Sequence, residues 1–157
     1  MEVVGVRVEL PSNTPIVLLR EVEGAHRMLP IFIGGPEATA IALALDDVET
    51  PRPMTHDLVK NIFDELSVTF ERLDITSLSN GTFYAEMHLR RPDGVLRLSC
   101  RPSDGIALAL RAGTPVFAAD EIVDEAGYTI DEEEESEDVV EQFREFIDSV
   151  DPDDFAS

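Results

Sequence analysis

The sequence has little cysteine, little lysine and no long apolar segment. Its single cysteine, Cys100, excludes an internal disulfide and a zinc site built from several cysteines, and predicts a reducing, cytoplasmic compartment. No apolar run reaches the roughly 18 residues of a membrane-spanning helix. The first residues lack the basic and apolar regions of a secretory signal. Lys60 is the only lysine among the 12 basic residues, so arginine, which favours forked contacts with carboxylate or phosphate, predominates.

Several catalytic signatures are also absent. The sequence contains no H-E-x-x-H zinc motif, no G-x-S-x-G nucleophile turn and no kinase signature. The segment Gly34-Gly35-Pro36 matches neither a dinucleotide-binding loop nor a P-loop. Pro92-Asp93 is not followed by the acid-x-Lys element of a common nuclease core. Candidates for chemistry therefore have to be sought among polar residues placed by the predicted helices and strands.

Negative charge dominates the composition. The net charge is −21 at pH 7, and residues 128–157 hold 13 acids and one base, against 20 acids and 11 bases in residues 1–127. Such a protein repels nucleic acid at long range. Activity on nucleic acid would therefore need a local arginine patch, a divalent metal or both. With 157 residues, 43% of them hydrophobic, the chain is long enough for one compact domain.

Apolar alternation and turn signals predict an α+β domain, with helices packed on a mainly antiparallel or mixed sheet. The predicted strands are 2–10, 16–22, 28–33, 68–78, 82–90, 95–100 and 115–118, and the predicted helices are 37–45, 55–66, 102–112 and 120–126. Thr55 is the expected N-cap of the second helix, which should bury an apolar face from Leu58 to Leu66. Residues 41–45 and 106–110 both read Ile-Ala-Leu-Ala-Leu, so an internal strand–turn–helix duplication is an open alternative to chance.

The composition divides the chain into three parts. Residues 1–127 are predicted to form the folded domain. Residues 128–138 are predicted to be an acidic disordered linker. Residues 139–157 are predicted to form a C-terminal amphipathic helix and tail, because apolar side chains recur there at helical spacing. A short helix of this kind is marginal alone, so it should dock on its own domain or on a partner.

Two polar clusters stand where predicted helices begin, at 52–57 and 101–104. A helix start favours anions, because its free N–H groups and the helix dipole both attract negative charge. A histidine in the first turn stabilises nothing obvious, because its positive form would oppose the helix dipole. His56 is therefore the best general acid or base candidate in the sequence. Arg101 could bind a phosphate while Asp104 holds a metal or a water. In the alternative interpretation these residues only cap helices, a first-turn acid contributing about 0.3–1 kcal/mol.

A third helix start carries an acid, Glu37. Together with Asp57 and Asp104 it could form one site for Mg²⁺ or Mn²⁺, although a sequence does not show that the three meet.

The predicted hairpin over 82–100 has a polar face that includes Tyr84, His88 and Arg97. This face is either solvated or oligomer-facing, or it tracks phosphates with Tyr84 available for stacking.

The sequence resembles the bifunctional nuclease domain family in five segments that occur in the family's order. These segments are Leu29-Pro-Ile-x-Ile-Gly34, Glu37-Ala38, Arg52-Pro-x-Thr-His-Asp57, Gly81-x-Phe-Tyr-Ala85 and Arg101-Pro-Ser-Asp-x-Ile-Ala-Leu-Ala-Leu-Arg111. They cover roughly residues 2–127, and the whole chain is similar to actinobacterial members. The resemblance implies an α+β domain, a homo-oligomer and a nuclease acting on RNA and DNA. The family's motif positions in this sequence are Glu37, Thr55, His56, Asp57, Arg101, Ser103 and Asp104.

We therefore expect a metal-assisted nuclease, with a non-catalytic binding or regulatory module as the alternative. The predicted catalytic residues are His56, Asp57, Arg101 and Asp104. The predicted metal ligands are Asp57, Asp104 and Glu37. The predicted substrate-binding residues are Thr55, Ser103, Arg97 and Tyr84. The alternatives differ in geometry: an enzyme needs these groups around one concave pocket, whereas distant or mutually paired groups favour caps and interfaces.

Overall fold

A computed structural model describes residues 1–129, and the predictions for the linker and the C-terminal helix lie outside this range. In chain order the elements are β1 (Glu2–Glu9), β2 (Thr14–Arg20), β3 (Met28–Phe32), α1 (Gly35–Leu45), α2 (Thr55–Glu65), β4 (Thr69–Ser79), β5 (Thr82–Arg91), β6 (Gly94–Cys100), α3 (Pro102–Ala112), β7 (Val116–Ala118) and α4 (Asp120–Ala126). The predicted α+β class is confirmed. None of the described helices is long and apolar enough to cross a membrane.

The strands form two sheets. The first is antiparallel with the order β1-β2-β3, and the second has the order β6-β5-β4-β7, in which β7 alone runs parallel to its neighbour. Asn80 and Gly81 connect β4 to β5 with positive φ angles of 51° and 74°, the backbone of a two-residue hairpin turn. This tight turn sets the register that places Ala85 opposite Ile75 on the face toward the core.

The core lies where α1 and α3 pack against each other and α3 packs against β4 and β5. Ile41 of α1 and Ile106 of α3 are both fully buried. Gly105 allows α3 to approach the sheet closely, because a Cβ there would lie 2.5 Å from Leu73 Cδ1. Both helices follow a strand and a short turn and have a proline in their first turn. The internal duplication itself stays a prediction.

The expected burial of α2 is wrong for most of its apolar face. Leu58, Ile62 and Leu66 are 53%, 45% and 65% exposed, whereas Val59 and Phe63 pack against the core. The helix contacts mainly α3, so it lies at the side of the domain and buries a narrower stripe than its sequence offers. An exposed apolar stripe of Leu58, Ile62 and Leu66 therefore runs along the outside of α2 and ends just after the helix.

Candidate active site

The start of α1 and the start of α3 are joined by Arg101, the residue immediately before α3. Its Nε donates a hydrogen bond to Asp104 Oδ2, and its Nη2 donates to Glu37 Oε1, both at 2.7 Å. The Arg101 side chain is 64% exposed, whereas the Glu37 side chain is only 14% exposed. The guanidinium group thus lies between two carboxylates from different helices and keeps one side toward solvent.

His56 joins the same group from α2. Its Nε2 lies 3.0 Å from Asp104 Oδ1, so Asp104 contacts His56 with one oxygen and Arg101 with the other. We call Glu37, His56, Arg101 and Asp104 the Arg101 cluster. The structure therefore brings together three of the predicted catalytic residues from two helix starts that are about fifty positions apart in the sequence.

The ionised Asp104 carboxylate indicates which ring nitrogen of a neutral His56 carries the proton. Partial burial raises the pKa of the Asp104 carboxyl, but hydrogen bonds from Arg101 and His56 outweigh that effect and hold the pKa below its usual value. An ionised carboxylate can only accept hydrogen bonds. We therefore assign the proton of neutral His56 to Nε2, which leaves the lone pair on Nδ1. The His56 side chain is 13% exposed.

Asp57 has different partners, although it follows the histidine directly. Its Oδ1 accepts a hydrogen bond from Arg111 Nε, and its Oδ2 accepts one from the backbone N–H of Met54 at 2.9 Å. Met54, not Thr55, is therefore the N-cap of α2, and the predicted cap is wrong by one residue. Partial burial raises the pKa of Asp57, but the bonds from Arg111 and Met54 lower it further, with a net depression.

Arg111 is a structural residue that the sequence interpretation missed. Its side chain is 11% exposed, and its Nη1 donates to backbone carbonyls of Ala40 in α1 and Ala107 in α3. With Asp57 it connects three helices. The resemblance to the family marked Arg111, because this residue ends the last of the five similar segments. It could not identify the partners of Arg111, because they are far away in the sequence.

The acids predicted to hold a metal are Glu37, Asp57 and Asp104. Within residues 1–129 no group of three or more His, Cys, Asp or Glu side chains has a geometry that could hold a metal ion. The reason is their pairing: the Arg101 guanidinium lies between Glu37 and Asp104, while Asp57 faces Arg111. As arranged, this set of three carboxylates does not fit a divalent ion.

The four residues predicted to bind substrate lie in two places. Thr55 is the exposed first residue of α2, and Ser103, which is 6% exposed, lies in the first turn of α3 beside Arg101. Tyr84 and Arg97 lie on the sheet face opposite α3, because the alternate residues of β5 are the ones buried beneath that helix. The structure does not bring Tyr84 or Arg97 to the Arg101 cluster.

That outer sheet face carries a second histidine–carboxylate group. His88 Nε2 lies 2.9 Å from Asp74 Oδ2 and 3.6 Å from Glu86 Oε1, and the Arg97 Nε lies 3.9 Å from the same Glu86 oxygen. These are cross-strand charge pairs of the kind that stabilise a sheet. His88 thus contacts an aspartate through Nε2, as His56 does, but it lies in a strand and not at a helix start.

A cavity of about 360 Å³ opens beside Arg101. Its walls come from the end of β3, the turn between β4 and β5, and the start of α3, and they include Phe32, Phe83 and Ser103. Phe32 is 56% exposed although it lies in a strand of apolar residues. The sequence interpretation missed Phe32, and only its position inside the first resembling segment could have drawn attention to it.

Comparison with known proteins gives consistent findings. A family model described as "Bifunctional nuclease domain" matches residues 17–131, a range that contains the whole Arg101 cluster. Over 162 residues the chain is 45% identical to an uncharacterised protein of Mycobacterium tuberculosis, covering 99% of this chain and 96% of that protein.

Plant relatives are more distant. The chain is 23% identical over 103 residues to Bifunctional nuclease 1 of Oryza sativa subsp. japonica, covering 64% of this chain and 31% of the rice protein. It is 24% identical over 112 residues to Bifunctional nuclease 2 of Arabidopsis thaliana, covering 68% and 34%. The chain spans about a third of the length of these plant proteins.

Proposed function

The chain belongs to the bifunctional nuclease domain family, and from this premise we propose that it hydrolyses phosphodiester bonds of RNA, DNA or both at the Arg101 cluster. The observation that carries the proposal is the hydrogen-bonded series from Arg101 through Asp104 to His56. An arginine that can neutralise phosphate charge stands next to an imidazole oriented by a carboxylate. Phosphodiester hydrolysis uses both kinds of group.

In this proposal His56 is the general base. The Nδ1 of neutral His56 takes a proton from the attacking water as the water oxygen attacks phosphorus. The imidazolium that forms is stabilised by Asp104, whose ionised carboxylate accepts the Nε2 hydrogen bond. Return of the proton to the departing oxygen completes the cycle.

Arg101 is the proposed phosphate-binding residue. Its exposure allows the guanidinium to turn from Glu37 toward a phosphate without a change in the fold. Two parallel N–H donors then contact two phosphate oxygens, as arginine does at bidentate sites. Positive charge placed there stabilises the negative charge that develops in the transition state.

The charge of the cluster limits how an anionic substrate can bind. Glu37 and Asp104 together outweigh Arg101, so with neutral His56 the cluster is net negative, and the whole chain carries −21. Membership of a nuclease family is compatible with metal dependence. We propose that Mg²⁺ or Mn²⁺ offsets this repulsion when it accompanies the substrate. Because the predicted set of three acids does not fit an ion, no step of the proposal depends on a resident metal.

The test is cleavage of end-labelled single-stranded RNA and DNA by the purified full-length chain. Each substrate is incubated with EDTA, Mg²⁺ or Mn²⁺. His56→Gln and Asp104→Asn are expected to lower the cleavage rate about 10²- to 10⁴-fold, the usual contribution of a general base. Glutamine preserves a donor toward Asp104, so the fold should survive the change at His56.

The matched control is His88→Gln, which changes the other histidine–carboxylate pair. It is expected to leave the rate within about twofold, because His88 lies on the outer sheet face. Wild-type protein without cleavage under every metal condition, or equal cleavage by the His56 and His88 variants, would remove the nuclease assignment.

A non-catalytic binding or regulatory module is the second candidate. It is favoured by the pairing of the acids at the helix starts, since Glu37, Asp57 and Asp104 each have an arginine partner. In that case the clusters cap and connect helices, and the polar sheet face binds a partner. Saturable binding of an RNA or DNA oligonucleotide without cleavage under any metal condition would support this candidate.

Three further expectations remain predictions: a homo-oligomer, a cytoplasmic location and the division of the chain at residues 127 and 138. Self-association has a candidate surface in the exposed apolar stripe of α2. Sedimentation of the wild-type chain and of Leu66→Glu, a change at the most exposed of these side chains, would measure it.

A further inference from the structure

None of the three helix starts has a hydrogen bond from a capping side chain, but their first-turn acids are placed differently. In α2, Asp57 turns back and accepts the N–H of its own N-cap. In α1, the Glu37 carboxylate lies over Gly34, where an added Cβ would come within 2.3 Å of Oε2. In α3 no side chain caps the helix, because Asp104 is committed to the other members of the Arg101 cluster. The N–H groups of Ser103 and Asp104 therefore remain for an external acceptor.

Ser103 is a second and independent indication of a ligand at this helix start. Its side chain lines the cavity although the residue is only 6% exposed, and its hydroxyl has no hydrogen-bond partner among residues 1–129. No fully buried side-chain nitrogen or oxygen atom of the described residues lacks a partner, so the Ser103 Oγ is accessible from the cavity, where its O–H can meet a water or a ligand atom. A phosphate oxygen in the cavity would accept this O–H together with the free N–H groups of α3.

Arg101 supplies positive charge at the same place. Two of its five N–H donors contact Asp104 and Glu37, and the others have no partner within the described range. A phosphate at the start of α3 would thus meet backbone N–H groups, the Ser103 hydroxyl and a guanidinium. These three donor types recur together at phosphate sites.

The rest of the cavity lining is mostly apolar. Phe32 of β3 is 56% exposed, Phe83 of β5 also lines the cavity, and the volume of about 360 Å³ is within the range of small-ligand sites. Aromatic side chains beside a phosphate site are the usual platform for an unpaired base. A base still paired within a duplex cannot enter such a pocket, since enzymes must extrude a base to enclose it.

We propose that this cavity binds one unpaired nucleotide, with its base against Phe32 and its phosphate at Ser103, Arg101 and the start of α3. The inference rests on the proposed nuclease function and refines it, because it names single-stranded nucleic acid as the substrate class. The strong negative charge of the chain agrees with it, since a single strand has a lower charge density than a duplex and is repelled less.

The experiment measures binding to the full-length chain by isothermal titration calorimetry. The probes are AMP, adenosine and inorganic phosphate. Phe32→Ala removes the stacking ring, and Ser103→Ala removes the unpaired hydroxyl. Phe117→Ala is the matched control, because Phe117 is another exposed phenylalanine in a strand, β7 of the second sheet, and does not line this cavity.

AMP is expected to bind more tightly than either of its parts. Phe32→Ala should weaken AMP binding about tenfold or more while leaving phosphate binding unchanged, in line with one lost base–aromatic stack. Ser103→Ala should weaken AMP and phosphate alike. The inference is overturned if AMP binds no better than phosphate, or if Phe32→Ala and Phe117→Ala have equal effects.

Cleavage assays on one strand, alone and annealed to its complement, separate this inference from the nuclease proposal. AMP binding that depends on Phe32, without cleavage of any substrate, supports the pocket and rejects the nuclease. Cleavage of both substrates at equal rates without AMP binding supports the nuclease and rejects the pocket. Preferential cleavage of the single strand, lost in Phe32→Ala and retained in Phe117→Ala, supports both.

Discussion

Replacing Asp57 with asparagine is expected to destabilise the fold rather than to remove chemistry. The Asp57 carboxylate accepts two hydrogen bonds, one from Arg111 and one from the N–H of Met54. Asparagine has one acceptor oxygen and one NH₂ donor, so it can keep only one of these bonds. The other donor then faces an NH₂ group, and Arg111 loses its counter-charge.

The magnitude follows from the exposure of the pair. Breaking a fully buried ion pair costs about 3–5 kcal/mol, and a hydrogen bond to a charged group contributes about 1.5–3 kcal/mol. The Asp57 side chain is 32% exposed and that of Arg111 is 11% exposed, so the pair is not fully buried and the range for a hydrogen bond to a charged group applies. We expect a loss of about 1.5–3 kcal/mol of unfolding free energy, and a Tm lower by roughly 3–12 °C for a chain of this size.

The assay is urea unfolding followed by far-ultraviolet circular dichroism, for wild type, Asp57→Asn, Arg111→Met and the double variant. An unchanged m-value with a lower midpoint would locate the effect in stability. The double-mutant cycle should give a coupling of about 1 kcal/mol or more, because the two side chains are in direct contact. Asp104→Asn is the comparison within the cluster, and it should affect cleavage more than unfolding.

The pH dependence of the same pair has a definite sign. Because the native pKa of Asp57 is depressed, its contribution to stability is present above the ordinary aspartate pKa of about 4 and is lost as the pH falls through the lower native value. The difference between wild type and Asp57→Asn should be constant from about pH 5 to 8 and should shrink below about pH 4. An Asp57→Asn variant of wild-type stability but greatly reduced cleavage would refute this structural assignment and indicate that Asp57 is a catalytic residue.

Three other predictions follow from local packing and charge. Gly105→Ala should lower the unfolding free energy by about 1–3 kcal/mol in the same urea assay, because the new methyl group would overlap a buried leucine of β4, whereas Gly35→Ala meets no atom within 4 Å and should not. Glu21, whose pKa is lowered to about 2 by its hydrogen bonds with Arg27, should stabilise the fold above about pH 4.5 and lose that effect between pH 4.5 and 2, so acid titrations of wild type and Glu21→Gln should converge in that window. Cys100, whose pKa is raised to about 11 by partial burial and by nearby carboxylates, should react slowly with iodoacetamide at pH 8 until urea unfolds the chain; fast labelling of the native chain would contradict this raised pKa.

Local rules account for the elements that could be predicted from the sequence. The alternation in β5 and the Asn80-Gly81 turn each depend on neighbouring residues only, and both agree with the structure. The division into two sheets was not predictable in this way, because pairing of β4 with β7 joins residues about forty positions apart. The burial of α2 failed for a related reason: an amphipathic pattern shows which face is apolar, and tertiary contacts decide how much of it is covered.

The candidate site shows the same division between local and long-range determinants. His56, Arg101 and Asp104 could be selected from their residue types at helix starts, but their contact depends on how α2 packs beside α3. Arg111 could not be assigned a role, since its partner Asp57 lies on another helix. A single sequence offers no means of pairing charges over such separations.

Asp57 and Asp104 show why sequence position alone cannot assign function to an acid. Both stand at the third position of a helix after an N-cap without a capping side chain. Asp57 accepts hydrogen bonds from the N-cap of its own helix and from a buried arginine, so its charge stabilises the fold. Asp104 turns to His56 and to an exposed arginine, which leaves the start of α3 uncapped beside a cavity. Because a helix start without an internal acceptor favours an external anion, the partners of Asp104, more than its place in the sequence, make this end of α3 the place where a phosphate is expected.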